Sequence, residues 1–261
     1  MTHPTPYPDV NAVLHEFCAG VQAIVGEQFI GLYLYGSVAL GDFDAQRSDI
    51  DFLVVTADEI PGEMLTALAA MHARLATSDS LARELEGAYI PLKALRRYDP
   101  AQARHPYHER HGRLHVEQHD SDWVIHRHVL RERGVIAAGP DPRTLIDPIG
   151  SGELRRAVVE CLDGWWAPML QDPTRLRDPW YQAYAVLTMC RILHTLQLGT
   201  VVSKPAAARW AQEALGASWT GLIARALARG MAEPFDHLNE TLDFIRLTLD
   251  RRRRVDPLSS A

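Results

Sequence analysis

Cysteine is scarce in this chain: three in 261 residues, Cys18, Cys161 and Cys190, far apart and without metal-ligand spacing. That argues against a disulfide framework or a thiolate zinc site and fits reduced thiols in a core. A basic excess is also missing, since 27 lysines and arginines face 33 acids for a net charge of −6. General attraction to DNA or RNA is therefore not expected, whereas a small anion needs only a local patch. No apolar run approaches the ~20 residues that span a bilayer. The opening residues, MTHPTPYPDV, lack the basic and apolar regions of a secretory signal. No repeat or low-complexity tract interrupts the rest. A cytoplasmic protein without nucleic-acid or membrane partners is the expectation. What remains is 47% apolar and 23% charged, an ordinary globular balance with length enough for two domains.

One stretch organises that length, Leu32 to Thr56, LYLYGSVALGDFDAQRSDIDFLVVT. It reads as a buried strand, a Gly-Ser turn, a polar excursion and a second buried strand. Residues two apart on a strand share a face, so Asp49 and Asp51 project together from one end of the apolar run Phe52 to Val55. Two close carboxylates repel unless a cation sits between them, and hard oxygen ligands suit Mg²⁺. Gly36 lets the backbone approach a ligand closely. Ser37 starts a helix whose free N–H groups attract phosphate. A phosphate cradle followed by a divalent-metal clamp describes a site for a nucleoside triphosphate; the bland reading is a polar connecting loop.

Around this stretch the pattern alternates helix and strand. Pro8 to Gln28 reads as a helix capped by Asp9 or Asn11, and Phe29 to Tyr35 as the first strand. Ile60 to Thr77 shows helical spacing. Arg83 to Leu92 reads as a third strand in which Glu86 faces away from the apolar positions; beside the aspartates it becomes a third carboxylate and a general base, otherwise a solvated edge residue. The histidines from His105 to His128 read as polar surface or cleft lining. His115 and His119 offer i, i+4 spacing, but on a strand they lie about 13 Å apart, and zinc is not expected. Asp122 caps a helix, Trp123 to Arg133. The Pro-rich loop through Asp147-Pro148 ends a domain spanning 1–150.

Residues 151–261 read as helical: Glu153 to Leu170, Pro179 to Leu198, Pro205 to Leu215, Trp219 to Arg229 and Pro234 to Arg253, with Gly199, Gly216 and Gly230 as stops. Arg251 to Arg254 complements the last helix dipole. Arg191 sits in an otherwise apolar helix, where it needs an acid partner or an anionic ligand. Lys204 opens the next helix and reads equally as surface.

The strings GS, GD and SDID resemble the polymerase-β-like nucleotidyltransferases. Together with Leu85-Glu86, LTMCRI and GTVVSKPAAARWA, they resemble the aminoglycoside adenylyltransferases that modify streptomycin and spectinomycin. The resemblance implies an α+β fold: a nucleotidyltransferase domain with a mixed sheet flanked by helices, then a helical bundle completing the cleft. It implies ATP as co-substrate with two Mg²⁺ ions on Asp49 and Asp51, joined by Glu86, which is also the catalytic base. Gly36, Ser37 and Ser48 hold the triphosphate, Arg191 and Lys204 reach its phosphates, and Asp122 lines the drug side. Tyr181 and Tyr184 stand where streptomycin-modifying members carry an acid and a polar or histidine residue, and no tryptophan of 98–119 matches their drug contact. The acceptor expected is therefore spectinomycin before streptomycin. A metabolite or protein hydroxyl, or a silent nucleotide-binding regulator, is the alternative. A monomer or weak dimer is expected.

Overall fold

The computed structural model describes residues 3–228 and 235–255, the last three by their backbone. It forms two compact units, Met1–Pro148 and Ile149–Ala261. Among the described residues no helix is long and apolar enough to cross a membrane.

In the first unit the order is α1 (Pro8–Val25), β1 (Phe29–Leu34), α2 (Gly36–Leu40), β2 (Ile50–Thr56), α3 (Gly62–Ser78), β3 (Leu85–Pro91) and α4 (Leu92–Leu95). Then come β4 (Arg104–His108), β5 (Leu114–Gln118), α5 (Asp122–Arg133), β6 (Val135–Ala138) and α6 (Pro142–Leu145). The sheet is mixed, ordered β5-β4-β3-β2-β1-β6, with β2 and β3 parallel and the other neighbours antiparallel.

Strand alternation sorts the two faces of this sheet. Leu32, Leu34, Phe52, Val54, Leu85 and Tyr89 join Phe17 of α1 and Leu68 of α3 in one buried core. Phe17 meets the Phe52 ring edge-on at 4.8 Å. Residues of opposite parity, Tyr35, Asp51, Glu86 and Tyr107, belong to the other face, where α5 brings Trp123 and His126 against the Tyr35 ring. Arg127 braces that helix. It is 2% exposed, and its guanidinium donates to the carbonyls of Ala94 and Leu95 at the end of α4 and of Trp123. Burial lowers it to about 10.

Several local expectations are corrected. Neither Asp9 nor Asn11 caps α1. Tyr7 takes the N-cap position ahead of Pro8, and the buried Asn11 side chain locks onto the Thr5 backbone instead. Asp122 is the first helical residue of α5, with Ser121 at the cap. The third strand starts later than expected because Leu81–Glu84 coil into a 3₁₀ turn. Strands β4 and β6 escaped the sequence pattern: β4 carries Pro106, and β6 is four residues long.

Three of the histidines expected at the surface or lining a cleft are core groups instead, while His111 is exposed and His115, His126 and His128 are partly so. His105, His108 and His119 are 1%, 6% and 1% exposed. His119 lies flat on Trp123 at 4.1 Å. His108 stacks on His72 of α3 at 3.8 Å, and its Nδ1 donates to the Leu85 carbonyl.

These imidazoles make stability depend on pH. Burial, then neighbouring His105, Arg127 and His126, push His119 down to about 3. Burial, then His108, push His72 well below the ordinary value of 6.5. Below pH 6.5 the unfolded chain binds protons that the folded chain refuses, so stability is full above 6.5 and declines as pH falls. For His119 alone the loss between pH 6.5 and 5 is about 2 kcal/mol. The urea midpoint is expected to drop from pH 7.5 to 5 with unchanged slope; a flat profile would contradict neutral, buried imidazoles.

The second unit contains α7 (Ser151–Cys161), α8 (Pro179–Leu198), α9 (Lys204–Leu215), α10 (Ala217–Ala228) and α11 (Leu238–Val255). Asp178 caps α8, and Gly199 ends it in the left-handed conformation. The helix expected from Glu153 to Leu170 instead widens into a π turn at Leu162–Trp166 and tightens to 3₁₀ at Ala167–Leu170. Pro168 explains the break, because it lacks an N–H and its ring crowds the carbonyl four residues back. The Gly230 stop, the Pro234 start and the end of the helix expected to reach Arg229 lie outside the described residues, as do the side chains of Arg253 and Arg254.

Candidate active site

The parallel register pairs Asp51 of β2 with Glu86 of β3, which sets their side chains next to each other on one face. Asp49, two residues before Asp51, also reaches Glu86. Burial pushes the Glu86 carboxyl above the ordinary carboxylate range, a hydrogen bond from Tyr107 pulls it down, and the charge and contact of Asp49 push it up again. The Tyr107 hydroxyl donates to Glu86 Oε1 at 2.6 Å.

Tyr35, 2% exposed, records the field of this cluster. Burial raises its phenol far above the usual value, and the charges of Asp51, Glu86, Asp122 and Asp49 raise it further. Three acids from the β2 and β3 ends of the sheet and one from α5 thus act on a single hydroxyl. Asp122, in the first turn of α5, belongs to this neighbourhood.

Gly36 closes the site from the β1 end. Its φ of 55° is left-handed, and a side chain there would run into the Asp51 carboxylate. Ser37 follows; its Oγ is buried and has no hydrogen-bond partner among the described residues. Ser48 is engaged locally, its Oγ accepting from the Asp44 N–H at 3.0 Å. No three His, Cys, Asp or Glu side chains among the described residues form a ready-made metal cage. Asp49, Asp51 and Glu86 adjoin one another without closing a coordination sphere.

In the helical unit, Tyr181 and Tyr184 occupy adjacent turns of α8. Tyr181 Oη accepts from Trp165 Nε1 at 2.9 Å. Trp180 stacks on Tyr184 with 7° between the planes. The Lys204 ammonium lies 5.1 Å from the Tyr184 ring centre. Arg191 comes two turns after Tyr184 on the same side of α8, half-buried and with no ion-pair partner among the described residues.

Sequence reasoning missed Tyr35, Tyr107 and the tryptophans on the two tyrosines, Trp165 bonded to Tyr181 and Trp180 stacked on Tyr184. Tyr35 had a usable signal, since it sits immediately before the Gly-Ser bend with the parity of Tyr33. Tyr107 had none, lying in a segment that had not been read as a strand.

A Gly-Ser bend after one strand, two aspartates at the head of the next and a third acid in register beside them define a nucleotidyltransferase domain. Residues 21–90 match the family model described as nucleotidyltransferase domain, and residues 144–249 match aminoglycoside adenylyltransferase, C-terminal domain. The chain thus carries a nucleotidyltransferase domain followed by the C-terminal domain found in aminoglycoside adenylyltransferases. It is 24% identical to spectinomycin 9-adenylyltransferase of Staphylococcus aureus over 202 residues, 73% of this chain and 74% of that one. It is 27% identical to aminoglycoside (3'') (9) adenylyltransferase of Escherichia coli over 248 residues, 90% of each. The crystal structure of spectinomycin adenyltransferase AAD(9) from Enterococcus faecialis with ATP and spectinomycin shares the fold. Its TM-score is 0.73 at 16% identity, covering 92% of this chain and 98% of that one.

Proposed function

We propose that this protein transfers AMP from ATP to a hydroxyl of an aminoglycoside-type antibiotic, spectinomycin before streptomycin, and releases pyrophosphate. The observation that carries the reading is the register of Asp51 with Glu86, with Asp49 against the same carboxylate. Glu86 is the general base: it takes the acceptor proton, the acceptor oxygen attacks the α-phosphorus in line, and pyrophosphate departs. A raised carboxyl pKa suits that task.

Mg²⁺ fits the donor set. Asp49, Asp51 and Glu86 offer hard oxygens in a field negative enough to act on Tyr35, and an incomplete protein cage matches an ion that is completed by phosphate oxygens and water. When bound, two such ions bring positive charge to the α-phosphate and the triphosphate. The buried, partnerless Ser37 Oγ and the Gly36 backbone suit phosphate oxygens, and Ser48 is assigned to the same group. Arg191, without an acid partner, and Lys204 are cations for the charge that builds on the leaving pyrophosphate.

Asp122, Tyr181 and Tyr184 are assigned to the acceptor. Aromatic rings in place of a carboxylate deprive a strongly cationic drug of a contact worth a few kcal/mol when buried. The purified protein, incubated with Mg-ATP and each drug, is expected to add one AMP to spectinomycin and to modify streptomycin at least tenfold more slowly. Absence of adenylylated drug in both incubations would remove the antibiotic assignment and turn the search to metabolite or protein hydroxyls.

A further inference from the structure

The proposed chemistry leaves one contact of the acid cluster unused. Tyr107 stands opposite Ala88 across the β3–β4 pair. Ala88 is too small to fill its side of the pair, so the Tyr107 ring can lean diagonally to the residue two before it, Glu86. The hydroxyl meets Glu86 Oε1 at 2.6 Å, a length typical of a strong bond to a carboxylate. A phenylalanine would fill the same space without placing a polar group in a half-buried site. The hydroxyl therefore has a use beyond packing.

We propose that Tyr107 is a positioning residue for the transfer reaction, its hydroxyl fixing Glu86 so that Oε2 is the oxygen offered to the acceptor. The inference rests on Glu86 being the base. With Oε1 held, the carboxylate loses rotation about its last bond, and proton abstraction is directed to one oxygen instead of being shared between two.

Removing only the hydroxyl tests this. Tyr107→Phe is expected to lower kcat about 10- to 100-fold, the range for losing a hydrogen bond to a charged group. The KM values for ATP and acceptor, calorimetric binding of each ligand and the thermal midpoint should stay close to wild type. In a Glu86→Gln background the same substitution should cause no further loss, because its effect runs through that carboxylate. An unchanged kcat in Tyr107→Phe, or an equal loss in both backgrounds, overturns the positioning role while leaving Glu86 as base. Full activity of Glu86→Gln would defeat the base assignment and the positioning role with it.

Discussion

Alanine at Asp49 or at Asp51 is expected to cut turnover by a factor of at least ~10³, equivalent to about 4 kcal/mol of transition-state stabilisation. The acceptor oxygen and the triphosphate both carry negative charge, and neither tolerates the other without the cations proposed for these acids. Nothing else on the face replaces them: Glu86 is the one remaining carboxylate on the neighbouring strand, and Asp122 sits on a different element. Stability should move the other way. Both aspartates are half-buried beside like charges, so removing one relieves repulsion, and the thermal midpoint should hold or rise. Pyrophosphate release and drug mass, read beside a melting curve, separate the two effects. Activity within tenfold of wild type in either variant would sink the metal assignment.

Gly36→Ala is expected to be nearly as damaging, for a steric reason. The position is left-handed, which costs a side chain about 1–2 kcal/mol, and the added methyl would occupy space held by the Asp51 carboxylate. Either the bend opens or the acid turns away, and kcat/KM should fall by roughly 10²- to 10³-fold. Gly41 supplies the control. It is equally left-handed, with φ 78°, but a methyl there meets nothing within 4 Å. Gly41→Ala should therefore lower the melting point through backbone strain and leave kcat/KM within a few-fold. Equal losses in the two variants would mean that strain alone, and not the acid, explains Gly36.

The sequence revealed most where physics repeats locally. Asp49 and Asp51 could be placed on one face because strand parity needs no partner, and Gly36 and Ser37 because a turn before a helix has few chemical forms. Glu86 was legible as an outward residue, but the parallel register that sets it beside Asp51 depends on a crossover through α3 that no local pattern encodes. The same limit hid Tyr107, whose strand contains Pro106 and whose meaning comes from Ala88 on another strand. Histidine misled for a different reason. His119 and His108 are polar by type, yet flat rings stack on Trp123 and His72 and bury well, a match visible only in three dimensions. In the helical unit the apolar spacing of 153–170 ran on past Cys161, and the disturbance came from Pro168, whose effect is felt a turn earlier in the chain.

Arg127 carries a last consequence. One guanidinium grips the chain just after β3 and the first turn of α5 together, so the strand bearing Glu86 and the helix bearing Asp122 share a common anchor. The spacing between the acid that works on the nucleophile and the acid assigned to the rest of the drug is thereby inherited from a cation that never meets either substrate. Drift in acceptor preference can then begin out of reach of any ligand, at a buried arginine that ties the chain after one acid to the helix of the other.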